Sequence, residues 1–208
     1  MQVQGMQVVV AGAATAGTAT ALLLARAGAT VRVLDRVPEM RAAGAGIALA
    51  ANGQAVLERL QLNTLLNQAT QINGARIVDA NERTLLAPPD GTDLRIVTRA
   101  ALQAALFEAM RSTSGIAITL GATVEAATPD GRVTVRHAAT GRTDDLQADL
   151  VVGADGVHSR VREQGGFAAE VRRSGIHYVR AISPTPPRDA LEAWTSAGLF
   201  GMMPLDRG

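Results

Sequence analysis

A glycine-bearing turn near the amino terminus, GAATAG at residues 12–17, constrains the fold of this 208-residue chain more than any other feature. It follows residues 7–11, whose continuous apolar pattern is typical of a parallel strand buried on both faces. A proline-free stretch of small and apolar residues, 13–27, predicts a helix that ends at Gly28, and residues 29–34 predict a second strand. The sequence therefore predicts a strand, a helix and a strand within about 30 residues, as in a Rossmann-like α/β fold.

The same turn matches the fingerprint of a dinucleotide site, because Asp35 ends the second strand. Gly12 allows a sharp turn, and Gly17 allows close packing of the helix against the strand. The first amides of the helix would meet a pyrophosphate, and Asp35 would accept hydrogen bonds from ribose hydroxyls. Ala14 replaces the middle glycine, and its methyl group points towards the space where backbone and pyrophosphate approach each other. A dinucleotide site is favoured over a plain connecting turn, but this pattern leaves NAD and FAD open.

The rest of the chain predicts further strands and helices. A glycine-bearing loop at 41–47, a hairpin excursion at about 70–95 and a helix at 99–110 capped by Thr98 come first. Segments 116–124, 132–138 and 142–147 predict a three-stranded antiparallel meander, and 148–153 predict another buried strand. Segments 175–183 and 197–204 are interpreted as strands of a second sheet. We therefore expect one domain over residues 1–165 and the incomplete start of a second over 166–208.

The amino-acid composition limits the classes of partner and of catalytic chemistry that the chain could have. The chain has 20 Lys and Arg against 19 Asp and Glu, which favours a small-molecule partner over nucleic acid or an anionic membrane. No apolar run reaches the roughly 18 residues that indicate a membrane span. The absence of cysteine excludes a thiolate nucleophile and fits a reducing compartment, so we expect the cytoplasm. The three histidines lack metal-ligand spacing, and no Gly-x-Ser-x-Gly motif supports hydrolase chemistry.

Three segments, taken in order, resemble the flavoprotein aromatic hydroxylases: LDRVPEMRAAGAGIALAANGQAVLERLQL, VTRAALQAAL and DLVVGADGVHSRVRE. That family includes p-hydroxybenzoate, salicylate and polyketide hydroxylases. The resemblance implies a Rossmann-like FAD-binding domain with the three-stranded meander, followed by a β-sheet substrate domain. It also implies FAD as cofactor and NAD(P)H as electron donor.

The resemblance also assigns cofactor-binding residues. The turn and the end of the second strand contribute Gly12, Ala14, Thr15, Ala16, Gly17, Asp35 and Arg36. Arg41 and Arg99 match arginines associated with the FAD pyrophosphate or ribityl side, where their charge would pair with phosphate. Both also fit solvated charges at helix ends.

Two later positions complete the assigned set. Val124 matches a position whose backbone meets the adenine, and Asp155 belongs to an Asp-Gly motif linked to both FAD and NAD(P)H. Asp155 also fits a side chain that caps the following turn, and the two roles can coexist.

The activity implied by the resemblance is that of a monooxygenase. NAD(P)H reduces FAD, oxygen adds at flavin C4a, and the hydroperoxide hydroxylates or epoxidises an aromatic or polyketide-like small molecule. Because the cofactor supplies this chemistry, no side chain is assigned as catalytic.

The family's second Gly-Asp motif is not found in the sequence. We therefore expect a truncated or split form, completed by a second chain that supplies the carboxy-terminal half. A non-catalytic FAD- or nucleotide-binding module is the first alternative, favoured by this missing motif and by Ala14. An NAD-linked dehydrogenase ranks last, because no catalytic arrangement of that class is found.

Overall fold

The structure is a computed structural model that describes residues 2–40, 45–72, 74–87, 89, 92–167, 169–185, 187 and 189–205. The strands in these ranges are β1 Gln7–Ala11, β2 Thr30–Asp35, β3 Gly46–Leu49, β4 Thr70–Ile72, β5 Arg76–Val78, β6 Thr84–Leu86, β7 Leu94–Thr98, β8 Ile116–Leu120, β9 Ala122–Ala127, β10 Arg132–His137, β11 Thr143–Gln147, β12 Leu150–Gly153, β13 Leu191–Thr195 and β14 Gly198–Met202. The helices are α1 Thr15–Arg26, α2 Ala51–Arg59, α3 Asn63–Asn67, α4 Arg99–Arg111 and α5 Arg160–Gln164.

The chain folds as two compact units. Unit 1 comprises Met1–Ala42 and Gln103–Tyr178, and unit 2 comprises Ala43–Leu102 and Val179–Gly208. The chain passes from unit 2 to unit 1 within α4.

Unit 1 is built on a parallel sheet with the order β12-β1-β2-β8. Four of the five residues of β1 are buried, because β1 is central in the sheet and pairs with β12 on one side and β2 on the other. Helix α1 connects β1 to β2, and Gly28 follows it with a φ of +91° that favours glycine. The predicted α/β fold, with its strand, helix and strand at the amino terminus, is confirmed.

The antiparallel meander of unit 1 has the order β11-β10-β9 and is confirmed, but its first strand was predicted wrongly. The segment 116–124 is divided at Gly121, whose φ is +68°. The part before this turn, β8, pairs in parallel with β2, and only the part after it joins the meander. The core between the two sheets contains apolar side chains of both, among them Val9, Leu34, Val124 and Val135.

Unit 2 contains a three-stranded sheet, β3-β7-β4, and a four-stranded sheet, β14-β13-β5-β6. The predicted hairpin is confirmed as the antiparallel pair β5 and β6. The predicted loop at 41–47 was wrong in its last part, because β3 begins at Gly46 and pairs with β7.

One expectation for the last part of the chain was also wrong. Residues 175–183 form no strand: they are exposed and lie in irregular structure. The sheet is instead extended by β13, which was not predicted, and by β14, which confirms the strand predicted at 197–204. Among the described helices, none has the length and hydropathy needed to cross a bilayer.

Candidate functional site

The glycine-bearing turn of unit 1 leaves backbone amides available at the start of α1. Ala14 is the N-cap residue, with extended backbone (φ −74°, ψ −177°), and it provides no side-chain cap. Within the described residues, nothing accepts a hydrogen bond from the backbone N–H of Ala14, Thr15, Ala16 or Gly17. The first turn of α1 also contains no acidic side chain. Free amides at the positive end of a helix dipole form a site for an anion.

The two glycines of the turn are required by close backbone packing. A Cβ on Gly12 would lie 2.6 Å from the carbonyl carbon of Ala154 and closer still to its oxygen, and Gly12 has a φ of +101°. A Cβ on Gly17 would lie 2.9 Å from the carbonyl carbon of Gly12. The turn therefore packs directly on the backbone that leads into Asp155. Ala14, in contrast, is exposed in a conformation that any L-residue adopts, so its methyl group is accommodated without strain.

Asp35 lies at the end of β2 and connects that strand to the turn. Its Oδ2 accepts a hydrogen bond from the backbone N–H of Ala13 at 2.6 Å, and its Oδ1 accepts one from the N–H of Val37 at 3.0 Å. The side chain is half-buried. Because each carboxylate oxygen has two lone pairs, both retain one with which to accept a hydroxyl donor. The carboxylate thus fixes the turn and remains able to bind a ribose.

Two polar side chains that the sequence reasoning missed also bind the turn. The buried hydroxyl of Thr18 donates to the carbonyl oxygen of Ala13 at 2.7 Å, and the buried amide of Gln103 donates to the same oxygen at 2.8 Å. The signal for Gln103 was present, since it lies on the buried face of α4 with Leu106 and Met110. A polar side chain on an apolar helix face indicates a buried hydrogen-bond partner.

Asp155 holds the start of helix α5, whose N-cap residue is Ser159. Its Oδ1 accepts a hydrogen bond from the hydroxyl of Ser159 at 2.5 Å, and its Oδ2 accepts one from the backbone N–H of Arg160 at 2.7 Å. Ser159 in turn accepts from the N–H of Arg162 at 3.0 Å. The capping role considered for Asp155 is therefore present in the structure. Gly156 follows with a φ of +91°, the conformation that the Asp-Gly turn requires.

The remaining predicted residues lie in different surroundings. The side chain of Val124 is part of the unit 1 core, so only its backbone is available to a ligand. Arg36 is exposed just after β2. Arg99 begins α4 in unit 2, is exposed, and its backbone N–H donates to the carbonyl of Ala45 at 3.1 Å. Arg41 lies outside the described residues.

The described residues include no group of three or more histidine or acidic side chains that could hold a metal ion. The candidate site of unit 1 is thus a set of backbone amides and one carboxylate, Asp35. Such a set is suited to a phosphate and a ribose.

A family model described as "FAD binding domain" matches residues 5–199, which is most of the chain. The chain belongs to the FAD binding domain family. Its cofactor is therefore FAD, which resolves the choice between NAD and FAD that the turn alone left open.

Relatives of this FAD binding domain chain are named as oxygenases. It is 31% identical, over 98% of its length and 55% of the relative's, to aurachin C monooxygenase/isomerase of Stigmatella aurantiaca. It is 29% identical to 6-hydroxynicotinate 3-monooxygenase of Pseudomonas fluorescens, over 93% of this chain and 53% of that one. The chain thus spans about half the length of these curated relatives.

The solved structures include a protein of the same fold. The crystal structure of a variant of 2-methyl-3-hydroxypyridine-5-carboxylic acid oxygenase superimposes with a TM-score of 0.75 and 28% sequence identity, covering 98% of this chain and 56% of that one. The flavin-dependent monooxygenase PieE shares the fold, with a TM-score of 0.64 at 18% sequence identity over 76% of this chain and 31% of that one. The FAD-binding fold predicted from the sequence is confirmed.

The residues of unit 1 fit the adenosine and pyrophosphate part of FAD. The closely packed Gly12 and Gly17 hold the turn, the amides that follow it lack acceptors among the described residues, and Asp35 retains lone pairs for a ribose. Ala14 is the one departure from the fingerprint. It is exposed and has unstrained extended backbone, so the arrangement remains compatible with the cofactor.

Proposed function

We propose that this chain is the FAD-binding part of an NAD(P)H-driven monooxygenase that inserts one oxygen atom into an aromatic small molecule. One observation carries the proposal: the amides of Ala14, Thr15 and Ala16 have no acceptor among the described residues and follow a turn that is bonded to Asp35. When bound, FAD would supply the redox chemistry of the reaction.

We propose specific contacts for each part of the cofactor. The amides of residues 14–17 would bind the pyrophosphate, Asp35 the ribose, and the backbone of Val124 the adenine. Arg36, Arg41, Arg99 and Asp155 would contribute to the FAD or NAD(P)H site. The exposure of Arg99, which has no ion-pair partner within the described residues, supports its availability to a phosphate. No catalytic side chain is assigned, since the role of these residues is to bind and orient.

The names of two similar proteins support a proposal for the substrate class. 6-Hydroxynicotinate and 2-methyl-3-hydroxypyridine-5-carboxylic acid, the compounds in these names, are both hydroxylated pyridine carboxylic acids. We propose a hydroxylated nitrogen heteroaromatic compound as the first substrate class to test, ahead of simple phenols. We further propose a first domain over residues 1–165, a cytoplasmic location and, if turnover requires it, a second chain as partner.

The first experiment is an absorbance spectrum of the purified chain after incubation with excess FAD and removal of free cofactor. About one equivalent of retained flavin is expected. A folded but colourless protein would contradict the proposed cofactor site. Retained flavin without substrate-stimulated NADH or NADPH oxidation would instead favour the alternative of a binding module, for which replacement of the fingerprint glycine by Ala14 is the supporting observation.

Ala14→Gly tests the one departure from the fingerprint. Glycine adopts the same extended N-cap backbone and is preferred over alanine there by roughly 0.5 kcal/mol, so folding is expected to be unharmed. Removal of the methyl group lets the pyrophosphate approach the backbone more closely. FAD is therefore expected to bind more tightly to Ala14→Gly than to the parent chain, as measured by quenching of flavin fluorescence. Equal affinities would show that the methyl group does not face the cofactor.

A further inference from the structure

The peptide groups on both sides of Ala13 are held by three side chains of unit 1, two of them distant in sequence. Its N–H donates to Asp35 Oδ2 at 2.6 Å. Its carbonyl oxygen accepts from Thr18 Oγ1 at 2.7 Å and from Gln103 Nε2 at 2.8 Å. Ala13 itself is buried and lies just before the free amides of α1. The backbone of this one residue therefore makes three hydrogen bonds to side chains, which fix the orientation of the peptide groups on both sides of it.

The direction of the Ala13 carbonyl determines the direction of the next amide. The carbonyl of Ala13 and the N–H of Ala14 belong to one planar trans peptide and point in opposite directions. Because Thr18 and Gln103 are buried, their bonds draw the carbonyl towards the protein interior. The N–H of Ala14 is thereby directed away from that interior, and Ala14 is exposed.

The polar end of Gln103 is directed at the turn. Its Nε2 donates to Ala13, and its Oε1 accepts a hydrogen bond from the hydroxyl of Thr15 at 3.5 Å. A buried amide costs free energy unless it is hydrogen-bonded, and the neighbouring buried positions of α4, Leu106 and Met110, are apolar. These bonds to the turn thus offset the cost of burying a glutamine at this position.

We propose that Gln103 is a positioning residue of the pyrophosphate site: through the Ala13 carbonyl it fixes the outward direction of the Ala14 N–H, and through its Oε1 it orients Thr15. This inference rests on the proposed function, namely that the turn binds the FAD pyrophosphate. Thr18 acts on the same carbonyl and is the second positioning residue.

The test compares Gln103→Leu and Thr18→Val with a matched control, Gln54→Leu. Gln54 is likewise buried, and its Nε2 donates to the carbonyls of Leu49 and Asp93, both at 3.0 Å, in unit 2. Affinities are measured for FAD by fluorescence quenching, and for ADP and adenosine by displacement of FAD.

Both Ala13-directed variants are expected to bind FAD and ADP roughly three- to tenfold more weakly, with adenosine unaffected, because each loses one neutral hydrogen bond to the Ala13 carbonyl. Gln54→Leu is expected to leave all three affinities unchanged. The nearly isosteric Thr18→Val provides the answer if Gln103→Leu fails to fold.

Gln103→Glu adds a pH profile that a merely structural role would not produce. An ionised glutamate has no proton to donate to the Ala13 carbonyl, whereas a protonated one does. The FAD affinity of Gln103→Glu, taken relative to the parent chain, is therefore expected to rise as the pH is lowered from about 8 to about 5.

The outcomes separate this inference from the proposed function. A parent chain that binds neither FAD nor ADP would overturn the proposed function and this inference with it. A parent chain that binds both, with variants that match it within twofold or that lose adenosine and ADP equally, would overturn the positioning role alone. Selective loss of ADP and FAD, recovered by Gln103→Glu at low pH, would establish it.

Discussion

Replacement of Gly12 by alanine tests whether the turn is fixed by backbone packing. The new Cβ would lie 2.6 Å from the carbonyl carbon of Ala154, in a backbone with a φ of +101°. Backbone strain at such an angle costs about 1–3 kcal/mol, and overpacking against a rigid neighbour typically adds another 1–3 kcal/mol. We therefore expect Gly12→Ala to lower the free energy of unfolding by about 4 kcal/mol.

A matched control separates the two contributions. Gly156 has a φ of +91°, close to that of Gly12, but a Cβ there would meet nothing within 4 Å. Gly156→Ala is thus expected to show the strain alone, about 1–3 kcal/mol. A second control, Gly53→Ala in α2, is expected to stabilise by about 0.5–1 kcal/mol, because helical glycine is entropically costly and the site has room for a methyl group.

The assay is urea denaturation followed by circular dichroism, with the m-value compared between variants. The result that matters is the difference between Gly12→Ala and Gly156→Ala, because it isolates the contact with Ala154. If the two variants lose equal stability at equal m-values, then the Gly12 turn does not pack on the Asp-Gly segment as described. The geometry assigned to the candidate site would then be wrong at its centre.

Three further predictions concern carboxylates. Asp35→Asn is expected to cost about 1 kcal/mol in urea denaturation and to weaken FAD binding, because a neutral acceptor replaces a charged one; unchanged stability would contradict the link to the turn. Asp155→Ala removes the carboxylate that accepts from the first amide of α5 and leaves the Ser159 cap; it is expected to cost about 1 kcal/mol and to speed amide exchange at Arg160, whereas Asp155→Ser should retain part of this contact. The backbone hydrogen bond from Arg83 holds the pKa of Asp79 below its ordinary 3.8. The contribution of Asp79 to stability is therefore complete above pH 3.8 and is lost as the pH falls through the lowered pKa. A carbon-detected NMR titration of Asp79 with a midpoint at or above 3.8 would contradict this.

The sequence predicted the first strand, helix and strand well because their signals are local. A continuous apolar run, a glycine turn and a second apolar run each specify their own element, and none needs a partner to be recognised. The division at Gly121 was missed for the opposite reason. Residues 116–124 form one apolar segment, and only the pairing of β8 with β2, more than 80 residues away in sequence, assigns its first half to the parallel sheet.

The same distinction explains the error in the second sheet. Segment 175–183 has apolar residues suited to a strand, yet Val179 is 95% exposed and lies in irregular structure. Strand β13 has the less apolar sequence LEAWT, but it pairs in parallel with β5 and antiparallel with β14. Strand formation here is decided by available neighbours rather than by local pattern, in agreement with the context dependence of β propensity.

The candidate site shows which features of the fingerprint turn can be predicted from the amino-acid sequence. The structural roles of Gly12 and Gly17 could be predicted, because each position excludes a Cβ and therefore requires glycine. The fixed direction of the Ala13 peptide could not be predicted, because an alanine side chain gives no indication of hydrogen bonds made by its backbone. The partners, Asp35 and Gln103, also lie 22 and 90 residues away in sequence. The departure at Ala14 consequently bears on how closely a phosphate approaches, whereas the shape of the turn depends on side chains outside the motif. Conversion of Ala14 to the fingerprint glycine should therefore not compensate for loss of Gln103. Because both substitutions act on the peptide that joins Ala13 to Ala14, a double-mutant cycle is expected to show coupled rather than additive effects on FAD affinity.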